Sequence, residues 1–195
     1  PLPNLTGKHQ IGNAGTALAA FERFPSVRLD DPAVARGLTT TEWPARLQRL
    51  TDGPLAAMMS DGSELWLDGG HNPAAGAMLA DHARADWTDR PLHLIGGMMN
   101  SKDALDFLLP LGAVASSFWG VVIPGEENSL SATNLADAAG RAGMDAHATA
   151  DVTAALAEIR ALGDGPIRVL ICGSLYLAGT VLASNAEAAG SFEKS

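Results

Sequence analysis

Asp68 and His71 stand three residues apart in Leu67-Asp68-Gly69-Gly70-His71-Asn72-Pro73, around a pair of glycines. At the end of a strand, a carboxylate and an imidazole so spaced can grip a ribose hydroxyl and a phosphate. The paired glycines would let backbone approach the ligand. The same residues also suit an ordinary strand-to-helix turn, in which Asp68 accepts from backbone amides and Asn72-Pro73 starts the next helix. Arg46 follows Trp43-Pro44-Ala45, and a guanidinium matches a phosphate at two points, although a lone surface Arg beside a Trp is the more frequent arrangement. Asn13, in Lys8-His9-Gln10-Ile11-Gly12-Asn13-Ala14, can cap a helix or pair with the polar edge of a base.

Other features read as structural. Ser101-Lys102-Asp103 marks a helix start, from which Lys102 could still reach a ligand. Cys172 lies at an apolar strand end, where it packs rather than reacts. The Walker loop G-x-x-x-x-G-K-[ST] and the patterns G-x-G-x-x-G, G-x-S-x-G and H-E-x-x-H are absent from the sequence. The five histidines show no metal-ligand spacing, so no metal ligand and no catalytic residue is assigned.

The elements that would position these residues alternate. Residues 1–10 read as an extended lead-in, and a helix follows over Gly12–Phe24, closed by Pro25. A second helix covers Asp31–Leu38, capped by Asp30 or Asp31, and Thr39–Glu42 reads as a linker at a domain boundary. Strands are predicted at Leu47–Leu50, Leu55–Met59 and Glu64–Leu67. Then helices at Pro73–Asp86, Lys102–Leu109, Ala132–Ala142, Val152–Leu162 and Leu175–Ser184 alternate with strands at Leu92–Ile95, Phe118–Ile123, Ala146–Ala148 and Ile167–Ile171. Such alternation implies right-handed crossovers and an α/β fold with a mostly parallel sheet. Its ligand crevice lies beyond the carboxyl ends of the strands, where Asp68–Asn72, Gly96–Ser101, Pro124–Glu127 and Cys172–Ser174 fall.

Composition narrows the function classes. The 195 residues are 47% hydrophobic, contain one cysteine and carry a net charge of −9. One cysteine excludes a disulfide framework, and the acidic balance argues against nucleic acid as a partner. No apolar run is long enough to span a bilayer and no signal peptide precedes the first helix, so no membrane partner and a cytoplasmic location are expected. The chain begins at Pro1 rather than Met, and a piece of a longer polypeptide is one reading.

Three of these segments occur in one known order. His9-Gln10-x-x-Asn13-Ala14, Trp43-Pro44-Ala45-Arg46-Leu47-Gln48 and Leu67–Pro73 together resemble the C-terminal part of folylpolyglutamate synthase/dihydrofolate synthase, in the Mur ligase superfamily. Gly97–Asp103 and Val169–Leu177 extend the resemblance over nearly the whole chain. It implies a Rossmann-like sheet with helices on both faces over residues 41–186, preceded by the helical end of a central ATPase domain over 1–40 and followed by a frayed tail, 187–195. It also implies ATP-dependent joining of L-glutamate to dihydropteroate or a folate through an acyl phosphate. Asn13 matches the family's adenine-side Asn, Arg46 its phosphate-binding Arg and Asp68 its ATP-binding Asp, with His71 beside it. The usual Pro-Gly-Arg is Pro44-Ala45-Arg46 here, and Asp-Gly-Ala-His-Asn is Asp68-Gly69-Gly70-His71-Asn72. The family's phosphate loop, Mg²⁺ ligands and modified lysine belong to an upstream ATPase domain, the implied partner. These 195 residues alone are therefore expected not to ligate. Two other readings are a non-catalytic Rossmann-type binding domain and a Mur ligase acting on a peptidoglycan precursor.

Overall fold

The computed structural model describes residues 1–24, 26 and 28–187, so the roles expected of Pro25 and of the tail beyond Glu187 lie outside the described residues. The chain divides into two compact units, Pro1–Leu47 and Gln48 onward.

The first unit holds two helices. Helix α1 covers His9–Glu22, beginning three residues earlier than the apolar spacing predicts. The difference arises at Gly7, whose φ of +105° turns the chain so that its carbonyl accepts from Gln10 N–H at 3.0 Å. His9 and Gln10 are thereby helical rather than extended. Helix α2 covers Asp31–Thr40, with Asp30 as its cap, accepting from Ala33 N–H at 2.7 Å, and Pro32 in its first turn. The predicted linker residues Thr39 and Thr40 belong to this helix, because their hydroxyls donate back to the carbonyls of Ala35 and Arg36, each at 2.8 Å. The segment from Thr41 to Leu47 stays with the first unit: Asn4 donates to the Thr41 carbonyl at 3.5 Å, and Leu47 approaches Gly7. The division thus falls after Leu47, beyond the boundary read at Thr39–Glu42.

The second unit is built on six strands: β1 (Gln48–Leu50), β2 (Glu64–Leu67), β3 (Leu92–Gly96), β4 (Ser117–Gly120), β5 (Asp145–Ala148) and β6 (Arg168–Cys172). Their order is β1-β2-β6-β3-β4-β5, with β1 antiparallel to β2 and the remaining pairs parallel. Every residue of β3 and β6 is buried, as befits central parallel strands covered on both faces. Helices α4 (Pro73–Asp86), α5 (Ala104–Leu108) and α6 (Ala132–Arg141) link β2 to β3, β3 to β4 and β4 to β5. α7 (Val152–Arg160) then runs back across the sheet to β6, and α8 (Leu175–Glu187) follows. Because that return reverses direction, the right-handed crossover puts α7 on the face opposite α4, α5 and α6.

The predicted strand at Leu55–Met59 is instead a helical turn, α3 (Pro54–Ala57). Pro54 has a φ suited to a first helical position and no N–H to leave unpaired. Asn185 of α8 accepts from Leu55 N–H at 3.3 Å, a tertiary contact invisible to local pattern. Likewise α5 starts at Ala104 and is capped by Asp103, which accepts from Asp106 N–H at 3.1 Å, not by Ser101.

At the amino ends of the strands, Arg168 is buried beneath a mixed cluster. It donates to Glu64 at 2.6 Å and to Asp89 at 3.0 Å, and its guanidinium lies 5.2 Å from the Trp87 ring centre. This pairing satisfies a charge that burial would otherwise penalise.

Candidate nucleotide-binding site

The chain reversal puts β6 between β2 and β3, so the loops after these three strands lie side by side at the carboxyl edge of the sheet. The backbone ties them together. Asp68 N–H donates to Ile171 O at 2.9 Å, Gly173 N–H to Gly70 O at 2.9 Å, and Gly97 N–H to Cys172 O at 3.2 Å. Gly173 sits at φ +102°, and a Cβ there would lie 2.8 Å from Met98 Cγ and 2.9 Å from Gly97 O. Only glycine fits that backbone and that closeness.

Asp68, directly after β2, is 1% exposed, and one of its oxygens accepts from Gly70 N–H at 2.7 Å. The structure thus shows the turn reading of Asp68, a carboxylate that accepts from a backbone amide. Burial, then the charge of Asp68, pushes the Cys172 thiol far above its usual pKa, so Cys172 is a packed thiol and not a nucleophile. His71 Nδ1 lies 2.9 Å from Gly69 O, and a carbonyl only accepts, so Nδ1 carries a proton and donates to it, which leaves Nε2 for a ligand. Asn72 is spent as the cap of α4, accepting from Ala75 N–H at 2.9 Å.

His71 also lines a small cleft of about 90 Å³ with Lys102, Gly173, Ser174 and Tyr176. Ser174 is buried and its hydroxyl accepts from Tyr176 N–H at 3.0 Å, while Tyr176 is 57% exposed. Sequence reasoning placed the Cys172–Ser174 loop at the crevice but gave neither Ser174 nor Tyr176 a role. Their position directly after β6 was the available signal.

Asn13 and Arg46 belong to the first unit. Asn13 faces a cavity of about 440 Å³ between α1 and α2, where its Nδ2 donates to Gln10 Oε1 at 3.0 Å. Arg46 is half-buried and makes no ion pair among the described residues. It is flanked by two residues in the left-handed region, Ala45 at φ +58° and Leu47 at φ +41°. Ala45 occupies the glycine position of the family triplet, and it keeps the glycine-like backbone despite a cost of about 1–2 kcal/mol. The structure thus brings Asp68 and His71 together, and groups Asn13 with Gln10. Gln10 was quoted in the sequence motif but given no role, because a helix read from Gly12 leaves it outside the helix that holds Asn13.

Among the described residues, no group of three or more His, Cys, Asp or Glu side chains could hold a metal ion. The residues present do not fit the Mg²⁺ that the resemblance implies. No helix among the described residues is long and apolar enough to cross a membrane.

A mostly parallel sheet whose connecting loops meet at its carboxyl edge defines a Rossmann-like α/β domain. Residues 55–175 match the family model described as Mur ligase, glutamate ligase domain. The chain belongs to that family. It is 34% identical over 176 residues to a probable bifunctional folylpolyglutamate synthase/dihydropteroate synthase of Halobacterium salinarum, covering 88% of this chain and 20% of that protein. It is 31% identical to the dihydrofolate synthase/folylpolyglutamate synthase of Mycobacterium tuberculosis, covering 90% of this chain and 38% of the relative. The solved M. tuberculosis folylpolyglutamate synthase complexed with ADP superimposes with a TM-score of 0.78 at 29% identity, over 93% of this chain and 41% of that one. A Yersinia pestis bifunctional folylpolyglutamate synthase/dihydrofolate synthase with AMPPNP and a Mn ion superimposes with a TM-score of 0.74 at 26% identity, over 94% and 40%. The chain therefore spans well under half the length of these relatives.

Proposed function

We propose that this chain is the glutamate-ligase part of an ATP-dependent amide ligase that joins L-glutamate to dihydropteroate or a folate. In that reaction a substrate carboxylate oxygen attacks the γ-phosphorus of ATP and ADP leaves. The amine of glutamate then attacks the acyl carbon, the new C–N bond forms and inorganic phosphate departs. The transferring phosphoryl group carries the charge that must be stabilised.

The observation that carries the reading is the meeting of the loops after β2, β6 and β3, with Asp68 buried among them and His71, Lys102 and Tyr176 around a small cleft. Asp68 and His71 are assigned to the nucleotide, where the carboxylate accepts from a ribose hydroxyl and His71 meets a phosphate oxygen. Asn13 is assigned to the adenine base and Arg46 to a phosphate. The names of the relatives support the ligase and folate assignments. The sequence has no Walker loop and the described residues offer no metal cluster, so the chain by itself is inferred not to turn over.

Amide NMR of the chain titrated with ATP tests the site. Shifts confined, within the second unit, to residues 68–72, 97–102 and 172–176 are expected; no shift in any of them refutes it. Phosphate release with ATP, L-glutamate and a folate tests the second claim, and sustained turnover by the chain alone refutes it.

A further inference from the structure

Among the described residues, two that are not glycine have a φ in the left-handed region, and they stand on either side of Arg46: Ala45 at +58° and Leu47 at +41°. A Cβ makes that backbone unfavourable, and it persists only where the surroundings over-determine it. Both side chains are buried, Ala45 at 3% exposure and Leu47 at 1%. Leu47 packs at the turn ahead of α1, where a Cβ added to Gly7 would lie 3.3 Å from Leu47 Cδ1. Burial of the leucine offsets its backbone cost.

Arg46 differs from both neighbours. It is half-buried, and its guanidinium makes no hydrogen bond or ion pair among the described residues. A guanidinium has five donors and keeps its charge, so one held near the surface without an internal partner is left for an anion. The backbone aims it. With the Leu47 side chain fixed at Gly7, the torsion about the Leu47 N–Cα bond sets the direction of the residue before it. An ordinary negative φ would turn Arg46 away or pull Leu47 out of its packing. A long side chain aimed in advance loses less freedom when it meets its ligand.

We propose that Leu47 is a positioning residue, whose buried side chain and left-handed backbone hold Arg46 towards a phosphate of the nucleotide. This rests on the assignment of Arg46 to a phosphate. The test is a cycle of ATP dissociation constants for the chain, Arg46→Gln, Leu47→Gly and the double variant, with Leu47→Met as the conservative change. Arg46→Gln weakens ATP binding about tenfold, the worth of one charge-assisted contact. Leu47→Gly releases the anchor and weakens ATP binding about threefold to tenfold, part or all of that contact. In the Arg46→Gln background the same change has an effect within about twofold, because Leu47 acts through Arg46; a purely structural role would give equal losses in both backgrounds. Leu47→Met, which fills the same space, stays within about twofold of the unaltered chain. Circular dichroism checks folding, and Leu47→Ala replaces Leu47→Gly if the latter unfolds. Unchanged ATP binding in Leu47→Gly, losses that multiply in the double variant, or a loss in Leu47→Met as large as in Leu47→Gly overturns the role of Leu47 while the Arg46 assignment stands. Unchanged ATP binding in Arg46→Gln, or no ATP binding by the unaltered chain, overturns both.

Discussion

Gly173→Ala perturbs the floor of the crevice at its tightest point. Gly173 has φ +102°, and an L side chain in left-handed backbone costs about 1–2 kcal/mol, reduced to about 1 kcal/mol when the smaller unfolded-state entropy of alanine is counted. The new methyl would also stand 2.8 Å from Met98 Cγ and 2.9 Å from Gly97 O. Met98 is buried, and Gly97 is anchored through its N–H to Cys172 O at 3.2 Å, so neither neighbour withdraws freely. That crowding adds about 1–3 kcal/mol. Gly125→Ala separates the two costs, because Gly125 has φ +77° but no atom within 4 Å of its added Cβ. The expected losses are about 2–4 kcal/mol for Gly173→Ala and about 1 kcal/mol for Gly125→Ala. Urea denaturation read by circular dichroism measures both, with equal slopes required for the comparison. A loss at Gly173 no greater than at Gly125 would refute the argument that the three loops meet in close-packed contact.

Two further outcomes follow from the other end of the sheet. Arg168→Met should cost about 3 kcal/mol, because it strips Glu64 of its closest partner in a largely buried site, and adding Glu64→Gln should recover part of the loss; a single-variant loss below about 1 kcal/mol in the same denaturation assay contradicts this. Burial holds the His93 pKa below its usual value, so the folded state prefers the neutral ring. Stability should be complete above the unfolded value of about 6.5 and fall as pH drops from there towards the lowered folded value. Midpoints measured near about pH 7 and about pH 5 should therefore fall more for the unaltered chain than for His93→Gln, and equal falls would count against it. Asp89, held at about 2 chiefly by Arg90 and then Arg168, titrates below that window and does not confuse the comparison.

Much of the fold was legible because its signals are local. The Asn72-Pro73 start of α4 and the alternation from Glu64 onward depend on caps, glycines and apolar runs that a few neighbouring residues supply. The failures share a cause. Leu55–Met59 reads as a strand by composition, but Asn185, far along the chain, accepts the amide that makes it a helical turn. His9 and Gln10 read as extended because helical spacing begins at Gly12, whereas Gly7 turns the backbone ahead of them.

The candidate site divides along the same line. The sequence by itself determined which chemistries are available: an Asp and a His around two glycines, an Arg after a Trp-Pro pair, an amide before a helix, and no phosphate loop or metal motif. It also carried the family resemblance, since motif order survives in one dimension. Only the tertiary structure decided how those groups are held. The return of the chain to place β6 between β2 and β3 brings loops a hundred residues apart into hydrogen-bonding contact, and so buries Asp68 beside Cys172 and Gly173. Backbone geometry gave Ala45 a conformation better suited to glycine, and packing buried Gln10, whose Oε1 accepts from Asn13 Nδ2. Residue type sets what a group can donate or accept; packing sets which of its donors and acceptors remain for a ligand.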